Sequence, residues 1–159
     1  SPELFDAFSH EAIKKLNTFN SQGMANTVSA YANIGHSSPE LFDAISQGAR
    51  EKLDTFTSQN VANTLWAYAK VRHSSPKLFE AISYKVTEKL DTFESRNIAI
   101  TIWAYAKVEY YSPELFDAIS YKAMESLDTF NSQAIGTIVS AYAKARHPSP
   151  KLFDAISKK

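Results

Sequence analysis

In residues 58–71, SQNVANTLWAYAKV, two amides, an indole and an ammonium fall on one line. At about 100° per residue, Gln59, Asn63, Trp66 and Lys70 occupy positions i, i+4, i+7 and i+11 of a helix. An amide both donates and accepts hydrogen bonds, an indole offers a broad flat face, and an ammonium carries a compact charge. Val61, Leu65 and Tyr68 lie roughly opposite and form a core face. The segment therefore presents groups suited to non-covalent recognition on the side that packing leaves over.

Groups suited to catalysis are scattered instead. His10, His36, His73 and His147 belong to different parts of the chain, and the last three recur at one spacing, so they line up rather than converge. No glycine-rich phosphate loop and no HExxH-type ligand spacing occurs. Asp43, Glu80 and Asp117 recur near a helix start, where the helix dipole explains them. Without cysteine, disulfides and thiol chemistry are excluded, and zinc has few ligands. The expectation is a protein that is not an enzyme, with no cofactor and no metal.

The elements that position the row come from a repeat. Proline recurs at 2, 39, 76, 113 and 150, a 37-residue period without slip. Phe5, Phe42, Phe79, Phe116 and Phe153 keep the same spacing, as do Tyr31, Tyr68, Tyr105 and Tyr142. A fixed period of this size is the mark of stacked units. The expected organisation is one array of repeats 1–37, 38–74, 75–111 and 112–148 with a partial fifth, 149–159.

Each unit reads as two helices. S-P starts the first, with serine as N-cap and proline at the first helical position. Leu41, Phe42, Ile45, Ala49 and Leu53 make its apolar stripe. L-D/N-T-F ends it. Ser58 is the expected cap of the second helix, which is expected to run to about His73. Strand signals are missing. One unit cannot bury its apolar face alone, so the fold class is all-α, an α-solenoid of stacked two-helix repeats. The ends show no polar capping repeat, which implies a segment of a longer array or an isolated, made array. The half-repeat ending Lys158-Lys159 is a candidate C-terminal cap, and uncapped ends leave self-association open.

Scaffold positions repeat, so ligand-specific ones must differ between units. The variable columns of the second helix are Gln22/Gln59/Arg96/Gln133, Gly23/Asn60/Asn97/Ala134, Asn26/Asn63/Ile100/Thr137, Ser29/Trp66/Trp103/Ser140 and Asn33/Lys70/Lys107/Lys144. They include the opening row, and they point away from the first helix, towards the inner side of a two-layer solenoid. Net charge is zero, yet the first-helix segments hold 11 cationic against 15 acidic residues and the second-helix segments 6 against 2. Local fields of this kind steer a charged ligand. Plainer readings stand beside this one. Lys70, Arg72 and His73 suit a helix C-terminus. Trp66 and Trp103 suit the groove between neighbouring second helices. Asn26 and Asn63 suit bonds to backbone. No apolar run reaches the roughly 20 residues of a membrane span.

The string S-P-E-L-F…F-x-S-Q-N-V-A-N-T-L-W-A-Y-A-K-V resembles the octotricopeptide and heptatricopeptide repeat family. Phe56 to Val71 matches best; the third repeat departs at Arg96 and Ile100, the first and fourth at Ser29 and Ser140. The resemblance covers essentially the whole chain. It implies an α-solenoid that binds single-stranded RNA, mostly in chloroplasts, mitochondria or parasite organelles. The C-terminal RAP domain of longer members is absent from these residues, and no nuclease role carries over. By this likeness, the RNA-binding residues are Gln22, Asn26, Gln59, Asn60, Asn63, Trp66, Lys70, Arg96, Asn97, Trp103, Lys107, Gln133, Thr137 and Lys144. Each repeat would present one variable set to about one base: amides to base edges, tryptophans to base faces, Lys70, Lys107 and Lys144 to phosphates. Two rival readings are a scaffold holding an extended peptide in the same groove and a repeat array with no ligand.

Overall fold

Proline at the first helical position opens each first helix, because its missing N–H would find no partner there and its φ is already helical. The computed structural model describes residues 2–147 and 149–158. Ser1, Pro148 and Lys159, which include the first expected N-cap, the end of the fourth expected repeat and the last lysine, lie outside them. First helices are α1 (Pro2–Lys14), α3 (Pro39–Glu51), α5 (Pro76–Lys89), α7 (Pro113–Glu125) and α9 (Pro150–Ser157). Second helices are α2 (Ser21–Ile34), α4 (Ser58–Lys70), α6 (Ser95–Lys107) and α8 (Ser132–Ala145). No strand occurs among the described residues, and the chain is an α-solenoid.

The turn inside each hairpin has a simple cause. Three-residue 3₁₀ turns sit at Leu16–Thr18, Leu53–Thr55, Leu90–Thr92 and Leu127–Thr129. In each the threonine hydroxyl donates to the carbonyl three residues back, as Thr55 does to Lys52 at 2.7 Å. The next residue, Phe56, is extended and buried, which reverses the chain and anchors the bend in the core.

Tyrosine then ties the two helices together. Tyr68 Oη donates to the Phe42 carbonyl at 2.5 Å, Tyr105 to Phe79 at 2.6 Å and Tyr142 to Phe116 at 2.5 Å. The same pairs meet edge to face, with centroids 4.8, 5.0 and 5.2 Å apart. Burial raises the pKa of all three tyrosines, helped by Asp43 beside Tyr68 and Asp117 beside Tyr142, so each hydroxyl stays a donor.

Three expectations about helix ends are corrected. Ser58 is the first residue inside α4; the cap is Thr57, which accepts from Asn60 N at 3.0 Å while Asn60 Oδ1 accepts from Thr57 N at 3.1 Å. Asn20 and Asn131 cap α2 and α8 in the same place. Of the serines before proline, Ser38 and Ser75 sit at the N-cap but their hydroxyls bond Ser9 and Ser46 of the preceding first helix, at 3.0 and 2.6 Å. Ser112 does cap, accepting from Leu115 N at 3.2 Å. Finally, α4 stops at Lys70. Arg72 is left-handed (φ 56°), and His73 N reaches back to the Tyr68 carbonyl at 3.0 Å. Glu109 and Arg146 repeat this closure at φ 59° and 53°, and Gly35 makes it at φ 71°. A left-handed closure of this type satisfies the orphan carbonyls that a longer helix would leave elsewhere.

The two layers are not equivalent. Second helices lie much closer to one another than first helices do. Ala62, Ala67 and Ala69 of α4 and Ala99, Ala104 and Ala106 of α6 are buried, and small side chains let helix axes approach. Leu41, Phe42, Ile45 and their counterparts are buried large side chains of the first helices, whose layer is the more widely spaced one. A stack curves towards its more closely spaced layer, so the second helices line the inner side. α9 packs on α7 with Leu152 buried and so continues the first-helix layer.

Candidate nucleic-acid interface

Burial isolates the row. In α4 the residues that are not buried are Ser58, Gln59, Asn60, Asn63, Trp66 and Lys70; in α6 they are Ser95, Arg96, Ile100, Trp103 and Lys107. After the first turn, each helix thus shows solvent one line of side chains and nothing else. Gln59, Lys70 and Arg96 are exposed, and Asn63, Trp66, Trp103 and Lys107 half-buried. On α2 and α8, Gln22, Asn26, Gln133 and Lys144 are exposed and Thr137 half-buried. Both tryptophans pack against the core with one side. The other side opens on a groove.

That groove crosses three helices. A depression of about 450 Å³ is lined by Trp66 from α4, by Arg96, Ile100 and Trp103 from α6, and by Gln133 and Thr137 from α8. A second one, about 580 Å³, adjoins it through Trp103, Gln133 and Thr137 and adds Lys107 and Lys144. The packing therefore gathers predicted residues of three successive units on one surface. Ile100, Ala99, Gly136 and Ser140 also line it without having been singled out as binding residues. The variability of the Ile100 and Ser140 columns was the available signal.

One predicted residue does not belong to the surface, and another has its side chain engaged at a helix start. Asn97 is buried, 5% exposed, and its Nδ2 donates to Ser58 Oγ of the preceding unit at 3.4 Å. Asn60 spends its side chain on the capping box of α4. Their column is one residue on from Gln59 and Arg96. A step of about 100° carries it from the open line to the helix start and the seam between units.

Electrostatically the groove is one-sided. Neither depression has a carboxylate among its lining residues, while Arg96, Lys107 and Lys144 all line them. Among the described residues, Lys70, Lys107 and Lys144 form no ion pair. Lys70 and Lys107 are also the last residues of α4 and α6, where the dipole favours a cation. Three of the four histidines serve elsewhere. His73 and His147 each donate Nε2–H to Asp43 and Asp117 at 2.7 Å, and His36 lies 3.4 Å from Asp6. These pairs clamp the end of a second helix to the start of its own first helix. No group of three or more potential metal ligands occurs among the described residues, and no helix is long and apolar enough to cross a membrane.

No curated protein matches the chain. Residues 11–28 match a family described as a protein of unknown function (DUF1601). A second family model matches residues 46–159, well over half of the molecule and all of the groove just described. The chain is an RNA-related helical-repeat protein and belongs to the RNA-editing substrate-binding complex 6 protein family.

Proposed function

We propose that this chain binds single-stranded RNA along its inner face, at about one base per repeat, as an array of the octotricopeptide or heptatricopeptide kind. The observation that carries the reading is the solvent line of α4 and α6, where amide or guanidinium, tryptophan and lysine follow one another on a groove without carboxylates. Bases stack on aromatic side chains with a gain of about 1–3 kcal/mol each. Helical repeats that assign two or three side chains to each base are a known physical strategy. Gln59 and Asn63 offer donors and acceptors to a base edge. In the next unit Arg96 and Ile100 replace them, so the two repeats would prefer different bases. Lys70, Lys107 and Lys144 would take successive phosphates. The chain acts on this reading as a binding array and not as an enzyme, and the repeat likeness favours an organellar setting.

The test is a titration with short single-stranded RNAs at low and high salt, followed by tryptophan fluorescence. Quenching is expected, and three neutralised phosphates set a slope of roughly −2 for log K against log salt. Replacing Lys70, Lys107 and Lys144 together by Gln should flatten that slope. An unchanged slope would sink the phosphate assignment. Ile100 between Trp66 and Trp103 also makes this part of the groove apolar, which favours the rival reading of an extended peptide. Absence of quenching by any RNA in the pool would leave that reading in place.

A further inference from the structure

The outer side of the molecule carries a second cleft, and internal repetition supplies its control. It lies between α5 and the segment that leads into α7, has a volume of about 650 Å³, and is lined by Tyr84, Glu88, Glu109, Tyr110, Tyr111 and Glu114 among others. No lysine, arginine or histidine lines it. Tyr84 is 66% and Tyr111 39% exposed. One unit earlier the same six positions read Gln47, Glu51, Arg72, His73, Ser74 and Lys77. One unit later Arg146, His147 and Lys151 restore cations at three of them. The backbone follows the same path each time, so the fold does not ask for the reversal.

The fold in fact opposes it. Glu109 follows the C-terminal end of α6, where the dipole disfavours an anion. It also holds a left-handed φ of 59°. Arg72 and Arg146 accept the same backbone but carry the favoured charge. Here Ser83 Oγ donates to the Glu80 carbonyl at 2.7 Å, whereas its counterparts Ser46 and Ser120 bond the serine of the next unit. Glu88 and Glu114 keep carboxylates that Glu51, Glu125 and Glu40 also carry, and Tyr84 has its like in Tyr121, but Glu109, Tyr110 and Tyr111 occur at this junction alone. Three adjacent departures, one of them against the helix dipole, point to a contact beyond the chain.

We propose that this cleft docks a cationic, arginine- or lysine-bearing segment of a protein partner. Three carboxylates supply the charge complement. Exposed tyrosine rings supply faces on which a guanidinium stacks. The cleft belongs to the first-helix layer, so such a partner and a ligand in the inner groove can be held at once. The inference does not depend on what the inner groove binds.

The experiment uses the full chain and a fluorescein-labelled Gly-Ser peptide carrying two arginines, with the citrulline version as its neutral isostere, read by anisotropy. Saturable binding of the arginine peptide and none of the citrulline peptide is expected. Glu109→Arg with Glu114→Lys installs the charges of the neighbouring unit and should weaken binding at least about tenfold, as should Tyr111→Ser. The milder Glu109→Gln with Glu114→Gln keeps shape and should weaken it too. Glu51→Gln with Glu125→Gln, on the same layer but outside the cleft, should leave it unchanged. Equal binding of the citrulline peptide, no binding of either peptide, or equal weakening by Glu51→Gln with Glu125→Gln would each overturn the proposal. So would a concentration-dependent dimer in sedimentation that the Glu109→Arg pair abolishes, because the cleft would then belong to a second copy.

Discussion

His73 Nε2 lies 2.7 Å from Asp43 Oδ1, and the imidazole also meets Phe42 and Tyr68 with centroids 5.6 and 5.8 Å away. One side chain thus joins the end of α4 to the start of α3. The carboxylate is 70% exposed, so the ion pair itself contributes little and the ring contacts carry most of the attachment. His73→Ala should cost about 1–2 kcal/mol in chemical denaturation. Asp43→Asn should cost below about 1 kcal/mol. Equal costs would place the attachment in the charge instead.

Tyr68→Phe removes one buried donor and keeps the ring. The Phe42 carbonyl loses that partner, and the loss should be about 0.5–1.5 kcal/mol. Phe42→Ala takes away a fully buried ring and should cost about 3–5 kcal/mol. Thermal or urea unfolding of the two variants tests the order as well as the sizes.

Arg72 pays a left-handed penalty that Gly35 does not. Arg72→Gly should stabilise the chain by up to about 1 kcal/mol, the left-handed cost of 1–2 kcal/mol less the extra freedom of glycine when unfolded. A lower melting temperature would show that the arginine side chain contributes more than its backbone loses.

Trp103 lines both depressions of the inner groove. Trp103→Ala should weaken single-stranded RNA by about 1–3 kcal/mol. Asn97→Ala, which copies Ala134 of the next unit, should leave RNA affinity unchanged. It also removes a buried Oδ1 that has no partner, so stability should be neutral to slightly raised. An RNA defect in Asn97→Ala would restore that column to the binding surface.

Period, helix pairing and the open row were legible because each rests on spacing along one helix. Gln59, Asn63, Trp66 and Lys70 share a line whatever the neighbouring units do. What was not legible depended on those neighbours. Ser38 looks like an N-cap from its place before proline, yet it accepts no bond from the helix start and its hydroxyl donates to Ser9 of the preceding first helix. Asn97 is polar and variable like Arg96, but only the stacking of α4 on α6 puts it against Ser58. The His73–Asp43 clamp left a trace that spacing within one helix cannot reveal. Asp6/His36, Asp43/His73 and Asp117/His147 keep one separation, and where histidine becomes Tyr110 the aspartate becomes Glu80.

The unequal spacing of the two layers has a mechanical consequence. Deformation costs least where the fewest atoms interdigitate, which is between first helices. The alanine-packed seam of second helices acts as a stiff spine, and the outer layer yields like the folds of a bellows. Bending therefore changes the radius of the coil while the rungs along the spine keep their order.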